Sequence, residues 1–348
     1  MVPRPRTRAG GAGNPSPRTG VGRGVKAIRI ERTGGPDVLQ PAEIDAPVPG
    51  EGELLVRQTA AGVNYFDVYM RMGTYPRALP FVPGREGVGI VEAVGPGVSW
   101  FATGMRVGYA ESPNQGGYAE VNAVPARLCV AIPAEIDDAL ACGAMLQALT
   151  AQYLVSDSFA VGLGDHVLVH AAAGGVGRLL VQLAKRRGGV VIATAGGPDK
   201  CALAASAGAD HVIDYRAVDF EPEVKRITGG AGVDAVYDSV GKDTWERSLR
   251  CLRPRGSFVL YGAASGPVPP IDPLRFMSGG SVFFSRPTFT HFARTHGELS
   301  ERADDVFDAI REGALEIRVA ATYPLADAAR AHRDLEARAL TGKAVLIP

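Results

Sequence analysis

The spacing of apolar residues changes near residue 137, and this change separates a β-rich first part from an α/β second part. Short extended segments divided by Gly and Pro begin at Val25 and include residues 53–64 (ELLVRQTAAGVN) and 87–98 (GVGIVEAVGPGV). They predict an antiparallel, barrel-like β domain. From Asp137 onward, DDALACGAMLQALTAQYLV carries apolar residues at helical spacing and predicts a helix where the two parts join.

Strand and helix patterns alternate in the second part. Apolar segments typical of strands occupy residues 190–196, 211–215, 233–241, 256–262 and 280–287, and helical patterns occupy residues 200–209 and 245–252. This alternation predicts an α/β fold with a doubly wound parallel sheet. The last strand, 280–287, is apolar on both faces, so we expect a sheet edge through which two copies pair as a homodimer.

The end of the chain is predicted to return to the first domain. Two amphipathic helices, 303–315 and 325–339, precede a closing strand at 341–348 (TGKAVLIP). The predicted division is therefore a β-rich domain at 25–150 and 288–348, with an α/β domain at 151–287 between its two pieces.

Residues 165–189 predict a nucleotide-binding site. The apolar run within His166–His170 suits a buried parallel strand, and a helix pattern follows it. Between them, residues 172–177 (AAGGVG) match G-x-G-x-x-G with alanine in the first place. Gly174 lets the backbone approach a pyrophosphate, and Gly177 lets the helix approach the strand. The helix N-terminus then faces the phosphates with free N–H groups.

The end of the next strand bears on the choice of cofactor. A site for NAD carries Asp or Glu about twenty residues beyond the glycines. Residues 194–197 (TAGG) stand there instead, and Gly196 is assigned to the cofactor site. Because no carboxylate there repels a 2′-phosphate and Lys200 can bind it as a point charge, the sequence favours NADPH. A solvated surface lysine is the alternative for Lys200.

Charge and cysteine content exclude several classes of partner. The chain has 37 Lys and Arg residues and 37 Asp and Glu residues, so its net charge is near zero. We therefore expect a small-molecule partner and no nucleic acid. The four cysteines lack C-x-x-C spacing, which favours buried, reduced thiols over disulfides or a zinc lobe. No run of about eighteen apolar residues is present, so we expect no membrane span and a cytoplasmic protein.

Residues 1–24 are rich in Arg, Pro, Gly and Ser and almost free of large apolar groups. Such a segment buries too little surface to offset the entropy lost on ordering it. It predicts a disordered basic tail, with a basic arm or a transit-like peptide as the alternative.

Between Ala27 and Pro348 the chain contains the segments GGPDVLQ, GVNYFDVYMRMGTYP, HAAAGGVG, VYDSVGKDTWERSL, SRP and YPL…AHRDLEARA…LIP. In these segments it resembles the NADPH:quinone oxidoreductases, the zeta-crystallin-like members of the zinc-free branch of medium-chain dehydrogenases/reductases. The resemblance implies a GroES-like catalytic domain made of both chain ends, with a Rossmann domain inserted between them.

The resemblance also implies roles for individual residues. The cofactor phosphates would lie near Gly175 and Val176. The 2′-phosphate would lie on Lys200, Tyr215 and Arg338. The nicotinamide and quinone pocket would be lined by Asn64, Tyr69, Tyr75 and Arg286, and the cofactor channel would be shaped by Ser239, Val240, Gly262 and Phe284.

Two departures affect what the resemblance implies. Gln147 stands where members of the family carry a lysine near the nicotinamide, which bears on the substrate range. Arg85 and Asn64 stand where the zinc alcohol dehydrogenases have a histidine and a cysteine ligand, and Met145-Leu146 fill the place of the third. We therefore expect no metal.

The leading functional hypothesis is an NADPH-dependent quinone reductase that transfers hydride directly from the nicotinamide to a quinone. One alternative is a reductase of the activated double bond of enones or enals. Another is a non-catalytic NADPH-binding protein that acts as a redox sensor or binds RNA, although neutral charge and the lack of an RNA motif argue against RNA.

Overall fold

The computed structural model describes residues 24–114 and 116–348. The predicted tail therefore lies outside the described residues, apart from Gly24, which begins the first strand. The strands are β1 (Gly24–Arg29), β2 (Gln40–Asp45), β3 (Glu53–Val63), β4 (Gly87–Val94), β5 (Arg106–Tyr109), β6 (Val121–Pro125), β7 (Cys129–Ala131), β8 (His166–Val169), β9 (Val190–Ala195), β10 (His211–Asp214), β11 (Val233–Asp238), β12 (Leu252–Leu260), β13 (Phe283–Ser285), β14 (Val319–Pro324) and β15 (Lys343–Ile347).

Helices cover and connect these strands. They are α1 (Tyr65–Met72), α2 (Asp138–Gly143), α3 (Leu149–Tyr153), α4 (Gly175–Arg186), α5 (Pro198–Ser206), α6 (Phe220–Ile227), α7 (Trp245–Cys251), α8 (Leu274–Ser278), α9 (His296–Arg311) and α10 (Ala328–Glu336). A π-helical stretch, Ala144–Ala148, joins α2 to α3, and a second one, Leu154–Ser158, extends α3. Together they form one continuous helix, Asp138–Ser158.

The second part of the chain forms a six-stranded sheet in the order β10-β9-β8-β11-β12-β13, and all of its strand pairs are parallel. Apolar residues such as Val167 and Leu168 are fully buried, because helices cover both faces of the sheet. The chain leaves β8 toward β9 and later returns to β8's other side with β11. This reversal opens a crevice at the carboxyl ends of the strands.

The first part and the end of the chain share a seven-stranded sheet. Its order is β14-β15-β3-β4-β5-β7, with β6 also paired to β3, and β1 and β2 form a separate antiparallel pair. The closing strand β15 lies antiparallel to β3, so the predicted return of the chain end to the first domain is confirmed.

Some elements differ from the predicted ones. We predicted no helix at α6, whose Pro222 sits in the first turn, where a backbone N–H has no helical partner to lose. The last strand of the parallel sheet, β13, is three residues long and not eight. It begins after Gly280 and Ser281, which have left-handed φ angles of 102° and 59°, and it ends before Pro287, which has no backbone N–H to donate. It does lie at the edge of the sheet.

The helix Asp138–Ser158 crosses the predicted domain boundary at 150. Helix α9, expected in the β-rich domain, is tied to this helix and to α4 through Arg302–Asp157 and Arg186–Asp305 ion pairs. The domain limits remain our proposal. By length and composition, Asp138–Ser158 could span a membrane, but 72% of its apolar 18-residue window is buried inside the molecule, and core helices meet the same criterion.

Candidate active site

One large cavity lies where the two main sheets meet. It has a volume of about 1030 Å³, at the upper end of the range for small-molecule sites. The carboxyl ends of β8, β9 and β11 line one side, and α1 and the turn before β4 line the other. All of the predicted site residues except Phe284 lie on its wall: Asn64, Tyr69, Tyr75, Gly174, Gly175, Val176, Gly177, Gly196, Lys200, Tyr215, Ser239, Val240, Gly262, Arg286 and Arg338.

Phe284, which we expect to shape the cofactor channel, does not line the cavity in the structure. Its ring stacks on Phe258 at a centroid distance of 5.5 Å and tilts against Phe276 at 5.3 Å. These contacts hold it against the face of the sheet that packs on α8, away from the cavity. Because β13 ends at Ser285, the alternation of side chains along the strand no longer sets the direction of Arg286. Its side chain lies on the cavity wall.

The glycine turn forms a cradle at one wall of the cavity. A Cβ at Gly177 would collide with the carbonyl oxygen of Ala171, so only glycine lets α4 pack this closely on the turn. Helix α4 begins at Gly175, which lies on the cavity wall. The N–H groups of its first turn have no intrahelical partner and suit an anion. The cradle therefore fits a pyrophosphate.

Cationic and hydroxyl groups gather near the end of β9. Lys200 lies in the first turn of α5, Tyr215 follows β10, and Arg338 follows α10 with a left-handed φ of 56°. The Tyr215 hydroxyl lies over Gly196, where a Cβ would come within 2.5 Å of it. Within the described part of the chain, neither Lys200 nor Arg338 has a carboxylate partner. This end of the cavity fits a 2′-phosphate.

The carboxylate of Asp214, at the end of β10, is held by hydrogen bonds to the backbone. Asp214 Oδ1 accepts the backbone N–H groups of Gly197 and Arg216, each at 3.0 Å. These hydrogen bonds lower the pKa of the Asp214 carboxyl. The carboxylate is thus committed to holding the turn and does not replace the acid that NAD sites carry.

Aromatic rings form the opposite end of the cavity. The rings of Tyr69 and Tyr75 meet edge to face at 6.2 Å, and Phe66 stacks on Tyr75 at 5.1 Å. Burial raises the pKa of the Tyr69 hydroxyl, so it remains a donor at neutral pH. Arg286 faces the same space, with one guanidinium N–H near the carbonyl of Pro287 at 3.4 Å and no carboxylate partner among the described residues.

The side chain of Asn64, which directly precedes α1, is held by hydrogen bonds to two charged residues. Its Nδ2 donates to Glu86 Oε1 at 2.6 Å, and Lys343 Nζ donates to its Oδ1 at 2.9 Å. The Asn64 side chain therefore reaches the cavity with part of its hydrogen-bonding capacity already used.

Arg85, beside this cluster, pairs with Glu111 and places its guanidinium over the ring of Phe66 at 4.2 Å. Burial raises the pKa of the Glu111 carboxyl. Glu111 itself adopts a left-handed φ of 59°, which is uncommon for this residue type. Arg85 and Glu111 both line the cavity, and their opposite charges neutralise each other.

Several cavity residues escaped prediction from the sequence. At the end near β8 they include His170, Phe220 and Arg247, and at the aromatic end they include Glu111 and Tyr153. His170 directly follows β8, so the rule that ligands bind at the carboxyl ends of parallel strands could have identified it. Glu111 and Tyr153 gave no comparable local signal.

Comparison with known proteins agrees with this geometry. Two family models match the chain: the alcohol dehydrogenase GroES-like domain at residues 50–134 and the zinc-binding dehydrogenase at residues 207–346. A quinone oxidoreductase from Pseudomonas aeruginosa is 42% identical over 325 residues, which cover 93% of this chain and 100% of that protein. The chain belongs to the quinone oxidoreductase family.

Two further relatives extend the comparison. The crystal structure of Escherichia coli quinone oxidoreductase complexed with NADPH matches with a TM-score of 0.90 and 41% identity, covering 93% of this chain and 100% of that one. A 2-haloacrylate reductase from a Burkholderia species is 41% identical over 334 residues, 93% of this chain and 99% of that protein. The protein is thus an enzyme, and the predicted fold, a GroES-like domain with a Rossmann sheet, is confirmed.

The positions that bind zinc in alcohol dehydrogenases have other contacts in this member of the quinone oxidoreductase family. Asn64 is bound by Glu86 and Lys343, and Arg85 is paired with Glu111. Within residues 24–114 and 116–348, no group of three or more His, Cys, Asp or Glu side chains could hold a metal ion.

Proposed function

We propose that the protein transfers a hydride from NADPH to a quinone. One observation carries the proposal: a single cavity joins the glycine cradle and the Lys200–Arg338 end to the aromatic wall with Arg286. The first end suits a dinucleotide with a 2′-phosphate. The second suits a flat acceptor whose oxygen gains negative charge. Similarity to quinone oxidoreductases, one of them complexed with NADPH, supports both assignments.

The cofactor contacts follow from this geometry. The cradle at Gly174, Gly175 and Gly177 would hold the pyrophosphate, and Lys200, Tyr215 and Arg338 would hold the 2′-phosphate. The loop with Ser239 and Val240 lies close to Gly262, where a Cβ would come within 2.6 Å of the Ser239 carbonyl oxygen. This close approach keeps the channel toward the aromatic end open. When bound there, NADPH supplies the hydride.

The protein's own groups prepare the acceptor. Tyr69 and Tyr75 offer ring faces and hydroxyl donors, which restrict a flat ring to few orientations. Arg286 holds a fixed positive charge where the acceptor oxygen becomes negative, and a donor already aimed there stabilises that charge without reorganising. A hydroquinone anion takes its proton from water after release, so no general acid is required.

A second candidate is the reduction of an activated carbon–carbon double bond. The similarity to a 2-haloacrylate reductase, at 41% identity over nearly the whole chain, favours it. The same donors would then stabilise the charge that develops on a conjugated carbonyl or carboxylate. The non-catalytic alternative is not retained, since the chain belongs to a family of enzymes.

Oxidation of NADPH with a panel of para-quinones, ortho-quinones, enones and 2-haloacrylates tests the proposal. Turnover with quinones at a kcat/KM well above that for the other acceptors is expected. Preference for the double-bond acceptors would instead select the second candidate. Turnover with none of them would contradict both.

We also propose a cytoplasmic homodimer. The four cysteines are free in the structure, which suits a reducing compartment. Edge strand β13 and the neighbouring α8 expose large apolar groups, with Phe283 65%, Met277 66% and Leu274 62% exposed. An apolar sheet edge of this kind favours pairing with a second copy.

A further inference from the structure

A fully buried ion pair lies behind the cavity wall. Glu86 and Lys343 have side chains 0% and 1% exposed and contact each other directly. The second oxygen of Glu86 accepts the backbone N–H of Leu146 at 2.7 Å. Both charges also bind the same neutral side chain, because Glu86 accepts from Asn64 Nδ2 at 2.6 Å and Lys343 donates to Asn64 Oδ1 at 2.9 Å.

The two charges determine which way the Asn64 amide faces. The oxygen and nitrogen of an amide have nearly the same shape, so only their partners distinguish the two orientations. A flipped amide would set its oxygen against the Glu86 carboxylate and its NH2 group against the Lys343 ammonium. Both contacts would be repulsive in an interior that excludes water, where such interactions are strong. One orientation is therefore strongly preferred.

This orientation decides what Asn64 offers to a ligand. Asn64 is on the cavity wall and is 7% exposed. Glu86 uses one of the two Nδ2 hydrogens, and the other remains available. The Asn64 NH2 group remains a hydrogen-bond donor when the Glu86–Lys343 ion pair polarises it.

We infer that Glu86 and Lys343 are positioning residues that fix Asn64 as a hydrogen-bond donor toward the acceptor in the cavity. The inference rests on the proposed function and deepens it, since a donor at this place stabilises the acceptor oxygen that gains negative charge. It assigns Asn64 a role that an aspartate or a flipped amide would not fulfil.

A mutant cycle in kcat tests the inference. Asn64→Ala is expected to lower kcat about a hundredfold, as for loss of one such donor. The charge-free variant Glu86→Gln/Lys343→Met leaves the amide without a preferred orientation, so about half of the molecules present the donor and kcat is expected to fall about twofold. Combined with Asn64→Ala, it should cause no further loss, because it acts only through Asn64. Additive losses would show a general structural role and overturn the inference.

A control uses an ion pair of the same seven-stranded sheet whose residues do not line the cavity. Arg57 on β3 pairs with Glu92 on β4, and its removal in Arg57→Met/Glu92→Gln should leave kcat unchanged. The charge exchange Glu86→Lys/Lys343→Glu keeps a buried pair but should flip the amide, so its kcat should fall to the level of Asn64→Ala. Wild-type kcat in a folded exchange variant would contradict the inference.

A binding measurement separates this inference from the proposed function. With NADP⁺ present, 4-nitrophenolate offers an oxyanion to the cavity without being reduced, and its dissociation constant can be followed by absorbance. We expect about tenfold weaker binding in Asn64→Ala. In the charge-free variant we expect about twofold weaker binding, because about half of the molecules present the donor. Equal affinity in all variants would overturn the inference. Absence of quinone turnover in the wild type would overturn only the proposed function.

Discussion

Arg286 shows how a single residue gains a function from where its strand ends. It follows β13, faces the aromatic end of the cavity and has no carboxylate partner among the residues that the structure describes. Apart from the N–H that contacts the Pro287 carbonyl, its guanidinium donors thus remain available to an acceptor oxygen. Arg286→Ala is expected to lower quinone turnover about a hundredfold, while the NADPH dissociation constant, measured separately by fluorescence titration, stays close to the wild-type value.

Arg286→Lys is the matched variant. It keeps the charge but loses the planar fork, so we expect an intermediate turnover. Unchanged quinone turnover in both Arg286→Ala and Tyr69→Phe would mean that the acceptor binds elsewhere.

Lys200 provides the test of cofactor preference. It lies on the cavity wall without a carboxylate partner among the described residues, and no acid stands at the end of β9. A charge-assisted hydrogen bond contributes about 1.5–3 kcal/mol, so Lys200→Ala should weaken NADPH binding about tenfold or more and leave NADH binding nearly unchanged. Calorimetric titration with both cofactors measures this difference.

The control for Lys200 is Lys225→Ala, since Lys225 lies on helix α6, pairs with Glu221 and does not line the cavity. It should alter neither affinity. An equal loss of NADPH and NADH affinity in Lys200→Ala would remove Lys200 from the 2′-phosphate site.

Helices α1 and α10 are joined by a buried polar network. The Tyr118 hydroxyl lies 3.2 Å from Asp67 Oδ2 and 3.0 Å from His332 Nε2. Arg71 on α1 lies 3.2 Å from His332 Nδ1 and binds Glu336 on α10 with two hydrogen bonds. Because α1 carries Tyr69 and Arg338 follows α10, this network fixes the two ends of the cavity relative to each other.

The network predicts a pH dependence of stability. Burial raises the pKa of Asp67 from 3.8 to about 7, so the folded state binds this proton more tightly than the unfolded state. The resulting contribution to stability is complete below pH 3.8 and is lost as the pH rises to about 7. Asp67→Asn removes this dependence, so its free energy of unfolding relative to wild type should increase between about pH 4 and 7.

Urea unfolding of both proteins at several pH values measures this difference. The comparison is needed because burial lowers the pKa of His332 to about 3, which makes stability rise with pH over part of the same range. His332 is present in both proteins, so its contribution largely cancels. Parallel curves for the two proteins would contradict a raised pKa at Asp67.

At the scale of the whole molecule, the exposed edge of the parallel sheet predicts the oligomeric state. Phe283 on β13 is 65% exposed beside the exposed apolar groups of α8. Phe283→Lys places a charge on this edge and is expected to shift the protein from dimer to monomer. Size-exclusion chromatography with light scattering measures the mass, and Val48→Lys, at a site 86% exposed outside this edge, should leave it unchanged. A wild-type monomer would contradict the proposed dimer.

The sequence by itself determined the parts that depend on local spacing. The strand, glycine turn and helix around Gly174–Gly177 follow from residues close together in the chain, and the collision of a Cβ at Gly177 with Ala171 explains that glycine. The missing acid at the end of β9 is likewise visible in the sequence. The α/β class and the returning closing strand followed from hydrophobic periodicity, because periodicity reports which face of an element is buried.

Only the tertiary structure decided which side chains are committed to other partners. Phe284 lies outside the cavity because it packs on Phe258, a residue of the adjacent strand. Asn64 meets Lys343 across 279 positions of sequence, because strand order places β15 beside β3. No local pattern encodes such a contact, since periodicity specifies that a face is buried but not which distant residue covers it.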